Sequence, residues 1–244
     1  MNAKIIEEIR EELIRNADQK YHETVKRFSR EEITQYQIRY YGLRTPVTRK
    51  ISSRFFAQIK RKSKEEILEL CETLLKSGYS EEITIAFDWG FRLKKQYTRD
   101  DFSLFESWLK TYVTGWGSCD DFCTHAFGVF IYQFPEYVKD VKKWAVSRNT
   151  WLRRASAVVL IYSIRRDALI EHGFQTADIL LMDQDIMVQK GYGWMLKEIS
   201  NIYPHRVFEY VMVNKERMPR TSLRYAIEKL KPELRKKAMA KGEL

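Results

Sequence analysis

Cysteine, proline, glycine and long apolar runs are all scarce in this sequence, and each shortage excludes a class of structure. Its 3 cysteines form no paired framework, which excludes a disulfide-stabilised secreted domain and favours a reducing compartment. Only 5 prolines and 10 glycines interrupt the chain, and the apolar spacing between them is helical. No apolar run reaches the roughly 18 to 20 residues that cross a bilayer, and the acidic, helical start does not resemble a secretion signal. The sequence therefore predicts an all-α protein of the cytoplasm.

Motifs for metal, phosphate and covalent chemistry are also missing. Cys119, Cys123 and His125 lie close together, but a fourth ligand and the usual two-residue cysteine spacing are absent. The other histidines form no recognisable catalytic set, and there is no glycine-rich phosphate loop. No zinc finger, helix-hairpin-helix or other short DNA-reading module is found. We therefore expect neither a metal nor a cofactor.

Positive charge is what the sequence has in excess. Lysine and arginine number 43 against 33 aspartates and glutamates, which gives a net charge of +10 over 244 residues. Such a charge predicts attraction to polyanions, although a generally basic surface without a specific partner is the alternative. The basic stretch at about 231–244 is interpreted as a solvated tail rather than as a site.

Pairs of helices recur along the chain. The first helix of each pair is predicted at Lys64–Leu75, Asp100–Tyr112, Pro135–Ser147 and His205–Asn214. The second helix is predicted at Ser80–Lys94, Ser118–Phe134, Thr150–Ile164, Asp185–Ile202 and Pro219–Leu230. Starts of the second helices step by roughly 32 to 38 residues, a period typical of helical-repeat solenoids. We expect one domain over 1–244, with two capping helices in about 1–45.

Two adjacent arginines receive different expected positions. Trp151, Ala155 and Val158 form a core stripe at helical spacing. Arg154 borders this stripe, so its stem can pack while its guanidinium reaches a ligand at the rim. Arg153 points to nearly the opposite side of the same helix.

The segment 115–121 contains the first unusual group of residues, because a tryptophan, Trp116, stands between two glycines. Ser118 and Asp121 have the spacing of a capping box that opens a helix, although glutamate or glutamine is the usual partner. That interpretation accounts for Asp121. It leaves Asp120, four residues after Trp116, open to either a structural or a functional role.

The segment 188–194 contains the second unusual group of residues, because two glycines lie inside one predicted helical turn. Each costs about 1 kcal/mol relative to alanine, so Gly191 and Gly193 indicate close approach by either another helix or a ligand. Trp194 is correspondingly either a core residue or a ligand contact. Lys190 beside it would suit a sugar–phosphate strand.

In their order along the chain, five patches resemble the AlkD-type alkylpurine DNA glycosylases, which are built from HEAT-like repeats. The patches are Tyr-Gly-Leu-Arg-Thr-Pro at 41–46, Gly-Trp-Gly-Ser-Cys-Asp at 115–120, Asn-Thr-Trp-Leu-Arg-Arg at 149–154, Gln-Lys-Gly-Tyr-Gly-Trp at 189–194 and, more weakly, Ser-Leu-Arg-Tyr-Ala-Ile at 222–227. The resemblance covers most of the chain. It implies an all-α, HEAT-like solenoid whose basic concave face holds duplex DNA.

The family's catalytic motif is a tryptophan, an aspartate four residues later, an arginine on the following repeat and a second tryptophan two repeats on. Those roles fall on Trp116, Asp120, Arg154 and Trp194. The resemblance implies that the indoles flank a deoxyribose, that the aspartate faces its anomeric carbon and that the arginine holds a backbone phosphate. Lys190, Arg224 and Arg153 are the further expected DNA contacts. Gly117 stands where the family often has a bulky residue, and the residues before 41 fit the pattern poorly, so no N-terminal lesion contact is assigned.

The implied chemistry suits a cationic base. Alkylation at N3 of adenine or N7 of guanine activates the leaving group, so one carboxylate can stabilise the oxocarbenium-like sugar without a general acid. Indole faces also favour cations. We expect a monofunctional hydrolase of base excision repair, without lyase activity or base flipping, that acts as a cytoplasmic monomer associated with the nucleoid through duplex DNA. The alternative is a non-catalytic helical-repeat module that binds DNA structures or a protein.

Overall fold

The regular secondary structure of the chain is helical. A computed structural model describes residues 2–28 and 38–240, and within these ranges the regular elements are α-helices and short 3₁₀ turns. One isolated β-bridge joins Arg39 and Tyr79. No helix of the described ranges is both long and apolar enough to cross a membrane. The predicted all-α class is confirmed.

The chain divides into two compact units, Met1–Ala126 and Phe127–Leu244. The helices of the first unit are α1 (Asn2–Arg15), α2 (Gln19–Phe28), α3 (Thr45–Ile59), α4 (Lys64–Leu75), α5 (Ser80–Arg92), α6 (Asp101–Tyr112) and α7 (Trp116–Thr124). Those of the second unit are α8 (Ala126–Gln133), α9 (Val138–Trp144), α10 (Thr150–Val158), α11 (Ile161–Ile164), α12 (Ile170–Leu180), α13 (Ile186–Ser200), α14 (Pro204–Asn214), α15 (Arg220–Ala226) and α16 (Pro232–Met239). The expectation of one domain over 1–244 stays a prediction.

The first unit is built on helices that pack in a row. α4 and α5 lie along each other across a short connection, which makes them antiparallel, and α5 also packs against α3 and α7. Phe122 packs α7 against this row. Its ring stacks on Phe87 with 4.3 Å between the ring centroids and contacts Phe105 edge-on with 5.6 Å between the centroids. All three rings are fully buried. The helix that begins at Trp116 therefore has a rigid base.

The second unit is organised around α13, which packs against α10, α12, α14 and α15. Tyr192 lies at the centre of these contacts and is fully buried. Its hydroxyl donates to the Leu181 carbonyl at 2.9 Å and shares a hydrogen bond of 2.6 Å with the Ser222 hydroxyl. A buried tyrosine needs such partners, and here they join α13 to α15.

Several predicted helices have the expected bounds. α4 agrees with its prediction at both ends, because Ser63 and Glu66 form a reciprocal capping box at its start. The second helices begin at Ser80, Trp116, Thr150, Ile186 and Arg220. Their spacing of roughly 35 residues is that of a helical-pair repeat.

Other predictions differ from the structure. The helix expected over Ser118–Phe134 is interrupted at His125, where φ is −121° and ψ is −96°. The helix expected over Thr150–Ile164 ends at Val158 and resumes as the four-residue α11. α3 and α12 were not expected, and α12 follows a left-handed residue, Leu169, with φ of 61°.

The two ends of the chain also differ from expectation. The stretch at 231–244 that was interpreted as a solvated tail contains α16, which packs against α14 and buries Ala238. Lys215 donates to the Ala240 carbonyl at 3.0 Å and closes this contact. Residues 241–244 lie outside the described ranges. Of the capping helices expected in about 1–45, α1 and α2 are present, and residues 29–37 lie outside the described ranges.

Candidate active site

Trp116 is the first residue of α7 and is 49% exposed. Gly115 precedes it in an extended conformation, and a Cβ placed on Gly117 would meet no atom within 4 Å. Large aromatic side chains are usually mostly buried. An exposed indole beside open space is therefore a surface on which an apolar or cationic ligand can stack.

A pocket of about 220 Å³ opens beside Trp116 within the first unit. Tyr21 of α2 and Tyr40 give it aromatic walls, and among the described residues Glu81 of α5 is the one carboxylate that lines it. That carboxylate is occupied by main-chain donors, since it accepts hydrogen bonds of 2.9 Å from the amides of both Gly42 and residue 43. Glu81 thus holds the patch at 41–46 in place and does not serve as a second acid.

Two consecutive aspartates of α7 have different surroundings. Asp121 pairs with Arg49 of α3 and with His125, whose Nδ1 lies 3.3 Å from Asp121 Oδ1. Asp120 is half-buried and stands four residues after Trp116, which places both on one face of the helix. The ion pairs of Asp121 give it a structural role. Asp120 is the aspartate that shares a helical face with Trp116.

The ion pair of Asp121 belongs to a network that joins three helices. Arg49 Nη1 lies 3.2 Å from Asp88 Oδ1 on α5, and Asp88 Oδ2 also accepts from Arg92 Nε at 2.8 Å and from Ser52 Oγ at 2.5 Å. Because Arg49 pairs with both Asp121 and Asp88, the network ties α7 to α3 and α5.

His125 extends the network to the end of α7. The side-chain hydrogen bond to Asp121 raises the pKa of His125, because it favours the imidazolium, and burial and the nearby Arg49 oppose the effect. The imidazolium of His125 is therefore retained to a higher pH than that of an unpaired histidine.

The capping box expected at Ser118 and Asp121 is wrong. α7 begins two residues earlier, at Trp116, with Gly115 as its N-cap residue. Ser118 Oγ instead donates to the Gly115 carbonyl at 3.0 Å. The interaction of Asp121 with Arg49, 72 positions earlier, replaces the local one.

In the second unit, Trp194 is half-buried on α13 and its indole is fixed by a carboxylate. Trp194 Nε1 donates to Glu198 Oε1 at 2.7 Å, and Arg165 donates to the same carboxylate at 2.8 and 3.1 Å. Burial alone would raise the pKa of Glu198, but the hydrogen bonds from Arg165 and Trp194 outweigh it and lower the pKa. The carboxylate therefore stays charged beside the indole.

Helix packing accounts for both glycines of α13. A Cβ on Gly191 would lie 3.1 Å from Arg154 Cγ on α10. A Cβ on Gly193 would lie 2.8 Å from Tyr225 Cβ and 2.9 Å from the Ser222 carbonyl on α15. Of the two interpretations that the sequence allowed, close approach by neighbouring helices is the one that the structure supports.

The two adjacent arginines of α10 are both more enclosed than expected. Arg154 is 5% exposed, because its stem lies against Gly191, and its guanidinium donates to the Met187 carbonyl. The expected rim position is therefore wrong, whereas its contact with phosphate stays a prediction. Arg153 forms an ion pair with Asp183 at 2.6 Å. That contact favours a structural role for Arg153, and its expected contact with DNA also stays a prediction.

Lys190 and Arg224 are more accessible. Lys190 is half-exposed on α13, and Arg224 is exposed on α15. Among residues 2–28 and 38–240, no carboxylate lies within ion-pair distance of either side chain. Both can therefore approach a phosphate without first breaking an ion pair.

The sequence cluster Cys119, Cys123 and His125 does not form a metal site in the described ranges. Both cysteines are fully buried, and His125 contacts Asp121. No group of three histidine, cysteine, aspartate or glutamate side chains within 2–28 and 38–240 could hold a metal ion.

Within each unit, the structure brings together part of the expected set. The first unit contains Trp116 and Asp120 on one helix, and the second contains Trp194 and Lys190 on α13 with Arg154 packed against it. Sequence reasoning missed the partners that position them, namely Arg49, Arg165 and Glu198. The four-residue spacing of Trp194 and Glu198 could have revealed one of these partners.

Comparisons with known proteins agree with this architecture. A solved structure from Enterococcus faecalis, described as a predicted DNA alkylation repair enzyme, is similar to this chain with a TM-score of 0.73. The two are 17% identical over 86% of this chain and 96% of that one, a likeness that shows the fold. No curated protein matches the chain. The family model for DNA alkylation repair enzymes matches residues 9–230, in both units, and the chain therefore belongs to that family.

Proposed function

We propose that this protein is a monofunctional DNA glycosylase that hydrolyses the N-glycosidic bond of N3- or N7-alkylated purines in duplex DNA. The observation that carries the proposal is the shared helical face of Trp116 and Asp120, which places a carboxylate one helical turn from an exposed indole that lines an open pocket. The protein would act as a monomer, without a metal or a cofactor.

The substrate supplies the activation that the site lacks. An alkylated purine is cationic and leaves without protonation, so the remaining barrier is the positive charge that develops on the sugar. A carboxylate at Asp120 would stabilise that charge and orient a water molecule. Neutral lesions such as uracil or hypoxanthine are poorer leaving groups, and we expect them to be excised weakly or not at all.

A second indole would come from Trp194. Its N–H donates to a charged carboxylate, Glu198, which holds the indole in place, and the Arg165 guanidinium lies 5.9 Å from the centre of the ring. An electron-rich face favours a cationic sugar or base. We propose that Trp116 and Trp194 each contact the deoxyribose of the lesion.

The protein would bind DNA through contacts with the sugar–phosphate backbone rather than with the base. Lys190 and Arg224 have the exposure that phosphate contacts need, and the more enclosed Arg154 and Arg153 are the remaining members of the proposed set. The described residues that line the pocket beside Trp116 include no lysine, so a Schiff base and strand cleavage are not expected. A lesion left stacked in the duplex would permit bulky adducts.

Release of base from a duplex containing one 7-methylguanine tests the proposal. We expect wild type to release the base and Asp120→Asn to be slower by at least about 100-fold, with binding of undamaged duplex unchanged. Asp121→Asn is the matched control, because it removes a charge one position away. It should lower thermal stability and slow excision far less than Asp120→Asn does.

The other outcomes are equally informative. Loss of excision in Asp121→Asn, with full activity in Asp120→Asn, would move the catalytic carboxylate by one residue. Duplex binding without base release by wild type would reject catalysis and favour a scaffold that recognises DNA structure.

A further inference from the structure

A pocket of about 500 Å³ lies between α15 and the C-terminal helix α16. Its walls are formed by Arg224, Ile227, Pro232, Arg235, Lys236 and Met239. Three of these six side chains are cationic, and none is acidic. The sequence alone had suggested a DNA contact for Arg224 and a solvated tail for the stretch at 231–244.

The three cations come from two helices, and within residues 2–28 and 38–240 they have no counter-charge. Arg224, Arg235 and Lys236 are all exposed, and no carboxylate of the described ranges forms an ion pair with any of them. Like charges brought together repel one another. An anion that contacts all three side chains would therefore relieve this repulsion most. Ile227 and Met239 supply apolar surface on which the arginine stems can pack.

The fold places this pocket close to the helix of Trp194. α15 packs against α13, where Ser222 and Tyr225 enclose Gly193, the residue before Trp194. Lys197 of α13 also lies 5.8 Å from the centre of the Tyr225 ring. Neighbouring helices are about 8 to 10 Å apart, and a duplex rises about 3.4 Å per base pair. DNA that contacts α13 would therefore reach α15 and α16 within a few base pairs.

We infer that this pocket binds a backbone phosphodiester of the duplex, a few nucleotides from the lesion. The inference rests on the proposed function for its partner, DNA, and it extends the proposed DNA-contacting surface from Arg224 to Arg235 and Lys236 of α16. α16 would then be a part of the DNA-binding surface. Guanidinium forks match phosphate oxygens in geometry as well as in charge.

The salt dependence of affinity for undamaged duplex tests the inference, because its slope counts the phosphates neutralised. We expect Arg235→Ala/Lys236→Ala to lower the slope by about one unit. The matched control is Lys231→Ala/Lys237→Ala, which removes the same charge from exposed lysines that do not line the pocket. The control should leave the slope unchanged within error, and Arg235→Lys/Lys236→Arg should preserve it.

Equal losses in the two double variants would overturn the inference, since general surface charge would then explain the binding. An unchanged slope in both would overturn it as well, and so would stronger binding of single-stranded RNA than of duplex DNA through these residues. Because the duplex is undamaged, failure of base release would reject the glycosylase proposal without affecting this result. Thermal unfolding of each variant establishes that α16 still packs.

Discussion

Trp116 and Trp194 are held in different ways, although the proposed roles of the two indoles are the same. Trp116 projects from the end of a helix and is 49% exposed, and the helix beneath it is fixed by the ion pair of Asp121 and Arg49. Trp194 is half-buried, and its own indole N–H is fixed by Glu198. The first unit thus positions a helix, whereas the second positions the side chain itself.

This difference has an energetic consequence. A side chain that is hydrogen-bonded and packed before the ligand arrives loses little conformational freedom on binding. An exposed indole must be ordered by the ligand, but it can adapt to adducts of different size. We therefore expect the second unit to supply a preformed surface and the first an adaptable one.

The largest expected effect concerns the glycines next to the two indoles. Gly193→Ala should destabilise the protein by about 1 to 3 kcal/mol, because its Cβ would lie 2.9 Å from the Ser222 carbonyl. Gly117→Ala has open space, so its unfolding free energy should stay constant or rise by up to about 1 kcal/mol. Urea unfolding of both variants measures the contrast, and equal effects would contradict it.

The next effect concerns the indoles themselves. Trp116→Ala and Trp194→Ala should each slow single-turnover base release by about tenfold, the equivalent of about 1.4 kcal/mol of cation–π stabilisation. Only Trp194→Ala should also lower thermal stability, because it leaves Glu198 without the indole donor. If Trp116→Ala destabilises the fold as much as Trp194→Ala does, the proposed difference between the units is wrong.

The smallest expected effect separates two cations of the second unit. Lys190→Ala and Arg154→Ala should each lower the salt slope of duplex binding by about one unit. Arg154→Ala should in addition lower thermal stability, because Arg154 is 5% exposed and donates to the Met187 carbonyl. An unchanged slope for Arg154→Ala would reject its contact with phosphate and leave it as a packing residue.

Local signals predicted much of this fold. The bounds of α4 follow from apolar periodicity and from the capping residue Ser63, which are both readable in sequence. α12 was missed because its start depends on two residues with positive φ, Asp167 and Leu169, and neither is a glycine. The residue types at these two positions therefore did not predict the turn.

The membership of the candidate site stays a prediction from the sequence, and the surroundings of its residues were not visible there. The spacing of Trp116 and Asp120 was visible in sequence, whereas Arg49, the partner of Asp121, lies 72 positions away. The burial of Arg154 depends on Gly191 of another helix. Such long-range contacts form when the repeats pack together, and the helical wheel of a single helix does not show them.

The exposure of Trp116 also has an optical consequence. Of the 6 tryptophans, Trp89, Trp108, Trp144 and Trp151 are at most 5% exposed, and Trp194 is half-buried. A neutral collisional quencher such as acrylamide should therefore reach the emission of Trp116 before that of the others. A duplex seated against this indole would shield it, so intrinsic fluorescence can report on occupancy at Trp116 in unlabelled protein, independently of whether a base is released.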